Sequence, residues 1–280
     1  MFFNYYGQKT KPRCGSGVNW SNSISRGMVA CFLMNEGAGP YVANLAGRDV
    51  GLLSQPEWTD GPDGPVVVFQ PNSPGVISFL NGGNDGRIVG AQQLTIITSI
   101  SMKAGNTKAI ADTTTIPTGV AARGWSFISN LVGGRRFLSF QQGFASNTNM
   151  CERVASPGSL LADTWFQVAV TYEGLNAFSG IHIYMNGSES NYDDSQSTDG
   201  VGDFKDPSRH LCIGNRFNGF RPFEGLMNYF YMWDRVLSVR EIFSIYTNPY
   251  SIIYSFNLPI MSTLGRSAGP PYRCLMGVGV

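Results

Sequence analysis

Residues 165–172, Trp-Phe-Gln-Val-Ala-Val-Thr-Tyr, constrain this chain more than any other stretch. Phe166, Val168, Val170 and Tyr172 share one face, and Gln167, Ala169 and Thr171 share the other. A period-two pattern of this length suits a strand and fits no helix. The pattern recurs. Ile181, Ile183 and Met185 alternate with His182, Tyr184 and Asn186, and the run stops at Asn186-Gly187, a dipeptide that tolerates the positive φ angles of a tight hairpin turn. Leu94, Ile96, Thr98, Ile100 and Met102 predict a longer strand, and Gly133-Gly134 separates the runs 126–128 and 136–140 as a second hairpin. Segments 28–34, 65–70, 76–80, 210–214 and 225–233 are the other predicted strands. Short strands with frequent turn signals predict an all-β, two-sheet antiparallel β-sandwich of jelly-roll type.

The composition agrees. The chain has 280 residues with 34 Gly, 15 Pro and 12% aromatics, and only 14% of it is charged, against roughly 25% in an average soluble chain. A net charge of +1 gives no broad basic field for nucleic acid or anionic lipid, and no apolar run reaches the ~20 residues that span a bilayer. The start, Met-Phe-Phe-Asn-Tyr-Tyr-Gly-Gln-Lys, lacks the basic, apolar and small-residue succession of a secretion signal. The chain is therefore expected to be made and kept in a cytoplasm. Cys14, Cys31, Cys151, Cys212 and Cys274 are widely spaced with no C-x-x-C pair. They exclude a zinc ribbon and predict buried thiols.

One helix is predicted at 238–246. Ser238 and Glu241 form a capping box, Val239, Ile242, Phe243 and Tyr246 make one apolar stripe, and Asn248-Pro249 ends it. The strands and this helix fill residues 26–250. That leaves 1–25 and 251–280 as segments without a period, rich in Ile, Leu, Met, Phe and Tyr. They either fold back on the domain or serve as arms gripping another subunit. On the second reading Phe2, Phe3, Tyr5, Tyr6, Trp20, Phe256 and Leu258 form an interface. Tyr231 and Trp233 join them, on a strand (229–233) apolar on both faces, because Tyr and Trp are enriched at interfaces. Packing between the sandwich and the helix explains that strand equally well.

Several segments together are familiar. Residues 25–37, Ser-Arg-Gly-Met-Val-Ala-Cys-Phe-Leu-Met-Asn-Glu-Gly, resemble the opening strand of the laminin-G-like, concanavalin A-like jelly-roll family. Gly75–Phe79 resembles a strand of its second sheet, and Asp163–Tyr172 its Trp-x-Val-Ala-Val-Thr-Tyr strand. Residues 183–187, 211–215, 223–228 and 233–238 follow in the family's order, while 110–160 departs from it and is expected to hold an insertion. Residues 18–29 and 246–253 resemble free-standing members from tailed bacteriophages. This second resemblance implies a virion protein, a capsid decoration or head-fibre subunit whose partners are other virion proteins and its own copies. The alternative it implies is a carbohydrate-binding adhesin of a phage tail or fibre that meets a host surface glycan.

Signs of chemistry are sparse. Glycosidases of this shape carry alternating acids on one strand, but Glu36, Glu57, Glu152, Glu173, Glu189, Glu224 and Glu241 are scattered, so no hydrolase is expected. His182 and His210 have no nucleophile and acid at a suggestive spacing. Asp193, Asp194, Asp199 and Asp203 fall in one loop and could supply part of the six to eight oxygens that Ca²⁺ takes. A solvated hairpin explains them without an ion, and Lys205 and Arg209 partly neutralise them. No other cofactor is indicated. Trp58, read as a loop residue between Glu57 and Asp60, is the candidate platform for stacking a sugar.

Overall fold

The computed structural model describes residues 10–47, 50–70, 80–81, 92–105, 107–114, 124–132, 135–144, 150–156, 160–202, 210–216 and 219–254. They form two antiparallel sheets packed face to face. The front sheet runs Cys151–Val154, Arg135–Gln142, Trp125–Val132, Lys108–Asp112, Cys212–Ile213, Leu80–Asn81, Val50–Leu53 and Tyr41–Ala43. The back sheet runs Ser188–Glu189, Ile181–Met185, Trp165–Tyr172, Leu94–Met102, Gly225–Trp233, Pro65–Phe69 and Trp58–Asp60. Met28–Phe32 pairs with Gly225–Trp233 beside Pro65–Phe69. The alternation seen in the sequence decides the faces. Val168, Val170, Tyr172, Ile181 and Ile183 point between the sheets, where they meet Trp125, Phe127, Leu138 and Phe140 from the front sheet. Asn186 and Gly187 adopt φ of 49° and 77°, as the hairpin turn requires.

A second core lies on the far side of the back sheet. Ile97, Ala169, Tyr184, Tyr229, Tyr231 and Trp233 pack there against Leu237, Ile242, Ile245, Tyr250, Ile252 and Ile253. The helix Val239–Thr247 has its capping box as predicted, but its buried side chains are Ile242 and Ile245. Val239 and Phe243, expected in the buried stripe, are each about half exposed.

The front sheet corrects another expectation. Within 110–160, where the sequence led us to expect an insertion, the described residues supply the strands Trp125–Val132, Arg135–Gln142 and Cys151–Val154 and the end of Lys108–Asp112, all of them part of the front sheet. The predicted strand 76–80 lies outside the described residues except at Leu80. The 25/26 and 250/251 boundaries also give way. Gly17–Val18 pairs with Ile253–Tyr254, Asn19 N–H donates to the Ile252 carbonyl, and Val18, Ile252 and Ile253 are buried in the second core. So 10–25 and 251–254 belong to the domain, because their apolar side chains find cover within the same chain.

Candidate functional site: a polar row on the front sheet

In-register neighbours on adjacent strands point to the same side of a sheet. The pairs Gln141↔Glu152, Ser126↔Gln141, Ser126↔Asp112 and Cys212↔Asp112 therefore align Glu152, Gln141, Ser126, Asp112 and Cys212 in one row. The next row is Arg153, Phe140, Phe127, Ala111 and Ile213, and its apolar members enter the core. The polar row thus faces away from the core. Leu211 and Ile213 are core residues, so alternation places His210 on the polar side with Cys212.

Asp112 anchors the row. Its Oδ1 accepts from the Thr114 N–H and hydroxyl, both at 2.7 Å, and its Oδ2 accepts from Arg216 Nε at 3.0 Å. Burial pushes this carboxyl up, opposed by the Arg216 guanidinium and by hydrogen bonding from Thr114. The segment that brings Arg216 to this face is held by backbone bonds. Gly214 N–H donates to Ile110 O, Phe223 N–H donates to Gly214 O, and Ala109 N–H donates to Arg221 O. Gly214 has φ +83°, and a Cβ there would lie 2.3 Å from the Phe69 ring, so the close approach of this segment to the core needs glycine. Asn215 Oδ1 accepts from the N–H of Arg216 and of Arg221.

Four buried polar atoms here lack a hydrogen-bond partner: Ser126 Oγ, Gln141 Oε1, Asn215 Nδ2 and Arg221 Nη1. Nδ1 of His210 is a fifth. Gln141 is 8% exposed and Asn215 fully buried. The Arg221 guanidinium is held below its usual range by burial and by repulsion from Arg216, with Asp112 and Glu152 pulling the other way. Beside it Phe220 is 79% exposed, the largest value among the described large apolar side chains. Buried polar groups ordinarily find partners, so the unsatisfied atoms of the row and of the segment 215–221 mark this part of the domain as a candidate polar site.

The sequence reading had singled out none of Asp112, Gln141, Arg216 or Arg221. Their signal was weak: a lone acid closing an apolar strand (Lys-Ala-Ile-Ala-Asp, 108–112) and two arginines flanking a Gly-rich turn.

The Laminin_G_3 family model, described as the concanavalin A-like lectin/glucanases superfamily, matches residues 84–243. The chain belongs to the concanavalin A-like lectin/glucanases superfamily. Among solved structures, this concanavalin A-like domain is similar to the binding domain of Paraclostridial Mosquitocidal Protein 1, with a TM-score of 0.56 and 14% identity over 80% of this chain and 52% of that one. It is similar to Trypanosoma rangeli sialidase in complex with sialic acid, with a TM-score of 0.54 and 13% identity over 79% of this chain and 33% of that one. It is also similar to domain 4 of AbnA, a GH43 extracellular arabinanase from Geobacillus stearothermophilus, in complex with arabinotriose, with a TM-score of 0.50 and 13% identity over 78% of this chain and 97% of that one. At these identities the likeness is one of fold. No curated protein matches the chain in sequence.

The residues predicted from the sequence lie elsewhere in this concanavalin A-like domain. Trp58 is not in a loop: it opens the edge strand Trp58–Asp60, packs against the main core and donates its indole N–H to Gly39 O at 2.9 Å. The ring is thus partly buried at the sheet edge. Among the described aspartates of the calcium candidate, Asp193 Oδ1 accepts from the Ser195 hydroxyl. Asp194 sits 3.7 Å from Arg153 Nε, and Asp199 accepts from Phe178 N–H. Each has a partner within the protein, Asp193 in its own turn and Asp194 and Asp199 on other segments, and among the described residues no group of three potential ligands could hold a metal. Asp203 lies outside the described residues, as do Phe2, Phe3, Tyr5, Tyr6, Phe256 and Leu258. Tyr231 and Trp233 are fully buried and cannot face another subunit. Tyr231 donates its hydroxyl to Pro249 O and Trp233 its indole N–H to Ile24 O, because this strand is apolar on both faces to serve two cores. Trp20 is 54% exposed.

Proposed function

We propose that this domain is a carbohydrate-binding module and that its ligand lies across the polar row of the front sheet. One observation carries the reading: Gln141 Oε1 on the row, and Asn215 Nδ2 and Arg221 Nη1 on the segment whose Arg216 pairs with Asp112, are buried and unpartnered. Sugar hydroxyls donate and accept in turn, so one ligand can satisfy both kinds of atom, and leaving such groups unmade costs ~1–3 kcal/mol each. Exposed Phe220 offers an apolar ring beside them. Binding rather than hydrolysis is favoured by the spacing of the acids. Asp112 and Glu152 stand three strands apart in register, on the order of 14 Å at the usual strand spacing, beyond the ~5–9.5 Å separation used by glycosidases. The test is titration calorimetry against a glycan panel with the unmodified domain and Gln141→Ala. We expect at least one glycan to bind and Gln141→Ala to weaken it by about tenfold. Failure of every glycan to bind, or unchanged affinity in the variant, overturns the reading.

A narrower reading makes this module a subunit of a phage virion, as a decoration or head-fibre protein or as the adhesin of a tail. It is favoured by Trp20 and Tyr254, each about half exposed, beside the pairing of the two terminal segments, where a particle surface could seat. The test is incorporation of Trp20→Ser into particles. Unchanged incorporation would count against this contact.

A further inference from the structure

We infer that the exposed ring of Tyr41, flanked by Leu52 and Val50, is the stacking platform for one sugar of the ligand, and that this sugar is a pyranose with equatorial substituents; this rests on the carbohydrate-binding reading above. Leu53 N–H donates to Pro40 O, which fixes the bonding between the edge strand Tyr41–Ala43 and its neighbour Val50–Leu53. Bonded and unbonded pairs alternate in an antiparallel ladder, so Tyr41↔Leu52 and Ala43↔Val50 are the unbonded pairs. Side chains of such pairs approach most closely, and Val50 lies one diagonal step from Tyr41. Tyr41, Leu52 and Val50 are each about half exposed, whereas Val42 and Leu53 enter the core. The patch therefore faces outward. It is also in register with the polar row, because Leu52 pairs with Asn81 and Asn81 with Cys212.

Size and edge geometry choose the occupant. Three half-exposed side chains offer far less than the ~800 Å² that each partner gives to a stable protein interface, and they match one or two sugar rings in extent. A peptide strand cannot extend the sheet here either. Ala43 turns its N–H outward, but Glu36 Oε1 already takes it at 2.9 Å. Tyr41 turns its N–H and C=O the same way, and a single residue is too short for a ladder. Sugar hydroxyls, which donate and accept singly, suit such an edge. The face of an aromatic ring carries negative partial charge, which attracts the C–H groups of a sugar. With every substituent equatorial, a pyranose lines both its faces with C–H groups and lies flat on the ring. A furanose has no such face.

The experiment is calorimetric titration of the full chain with cellohexaose, xylohexaose and arabinohexaose, the last a chain of furanoses, with sedimentation velocity on the same samples. Cellohexaose or xylohexaose should bind, and more tightly than arabinohexaose. Tyr41→Ala should weaken that binding about tenfold, and Tyr41→Phe, which keeps the ring, should stay within about twofold of the unmodified protein. Should Tyr41→Ala fail to fold, Leu52→Ser carries the same expectation. Unchanged affinity in Tyr41→Ala, with Gln141→Ala weakened, overturns the platform and leaves the carbohydrate reading standing. Binding of arabinohexaose alone overturns the pyranose in the same way. An oligomer that dissociates in Tyr41→Ala while glycan affinity holds makes the patch a contact between copies and overturns the inference. Binding of no glycan overturns both readings.

Discussion

Arg216 Nε and Asp112 Oδ2 lie 3.0 Å apart across 104 residues of sequence, and both side chains are buried. A buried pair gains little over a well-packed apolar replacement, but removing one partner strands the other charge at a cost of ~3–5 kcal/mol. Arg216→Met should lower the unfolding free energy by about that amount in urea melts. The double variant Asp112→Leu/Arg216→Met should recover most of the loss. A double variant no more stable than the single one would show that the pair contributes more than its geometry suggests.

Trp125 and Trp165 should separate clearly in a stability assay. Trp125 is fully buried and stacks on Phe140 with ring centroids 6.2 Å apart, so Trp125→Ala should cost ~3–5 kcal/mol. Trp165 begins its strand and is only half-buried. Trp165→Ala should cost less than half as much, read from the same denaturation midpoints.

Lys11 makes stability depend on alkaline pH. Its ammonium is buried and donates to Met34 O and Pro65 O. Burial lowers its pKa from 10.5 to about 7, with Glu36 and Asp63 opposing. Between those two values the unfolded chain holds a proton that the folded one does not, so stability rises with pH over this window. Below about 7 both states are protonated and the cost of the buried charge is fully present. Unmodified protein compared with Lys11→Met should show a stability difference that climbs in favour of Lys11 between pH 7 and pH 10, by up to ~1.4 kcal/mol per pH unit. A flat difference would mean that the amine keeps its ordinary pKa.

Ser238 Oγ accepts from the Glu241 N–H, and the Glu241 carboxylate accepts from the Ser238 N–H at 2.8 Å. Ser238→Ala should cost ~1 kcal/mol. The loss should appear as a lowered melting temperature with no change in the near-ultraviolet signal of the main core.

The fold was legible where side chains obey the pleat locally. Alternation over 165–172 and 181–186 sufficed to assign strands, faces and a turn, but the expectation that Trp165 is a core residue gives way to a half-buried position at the start of its strand. Two-sided apolarity at Tyr229–Trp233 reported burial between two cores, not a surface. The polar row was not legible, because Asp112, Ser126, Gln141 and Glu152 become neighbours only through strand pairing, and Arg216 arrives from a distant segment. The helix stripe failed at Val239 and Phe243 because a short helix lying on a sheet covers a narrower face than the 3.6-residue period suggests.

The pairing of Gly17–Val18 with Ile253–Tyr254 covers the outer side of the back sheet, whereas the row of Glu152, Gln141, Ser126 and Asp112 lies on the outer side of the front sheet. Both terminal segments are thus fastened to the side of the sandwich opposite the polar row. Anything tethered through either segment would hold the domain by its rear, with the side that carries the polar row turned the other way.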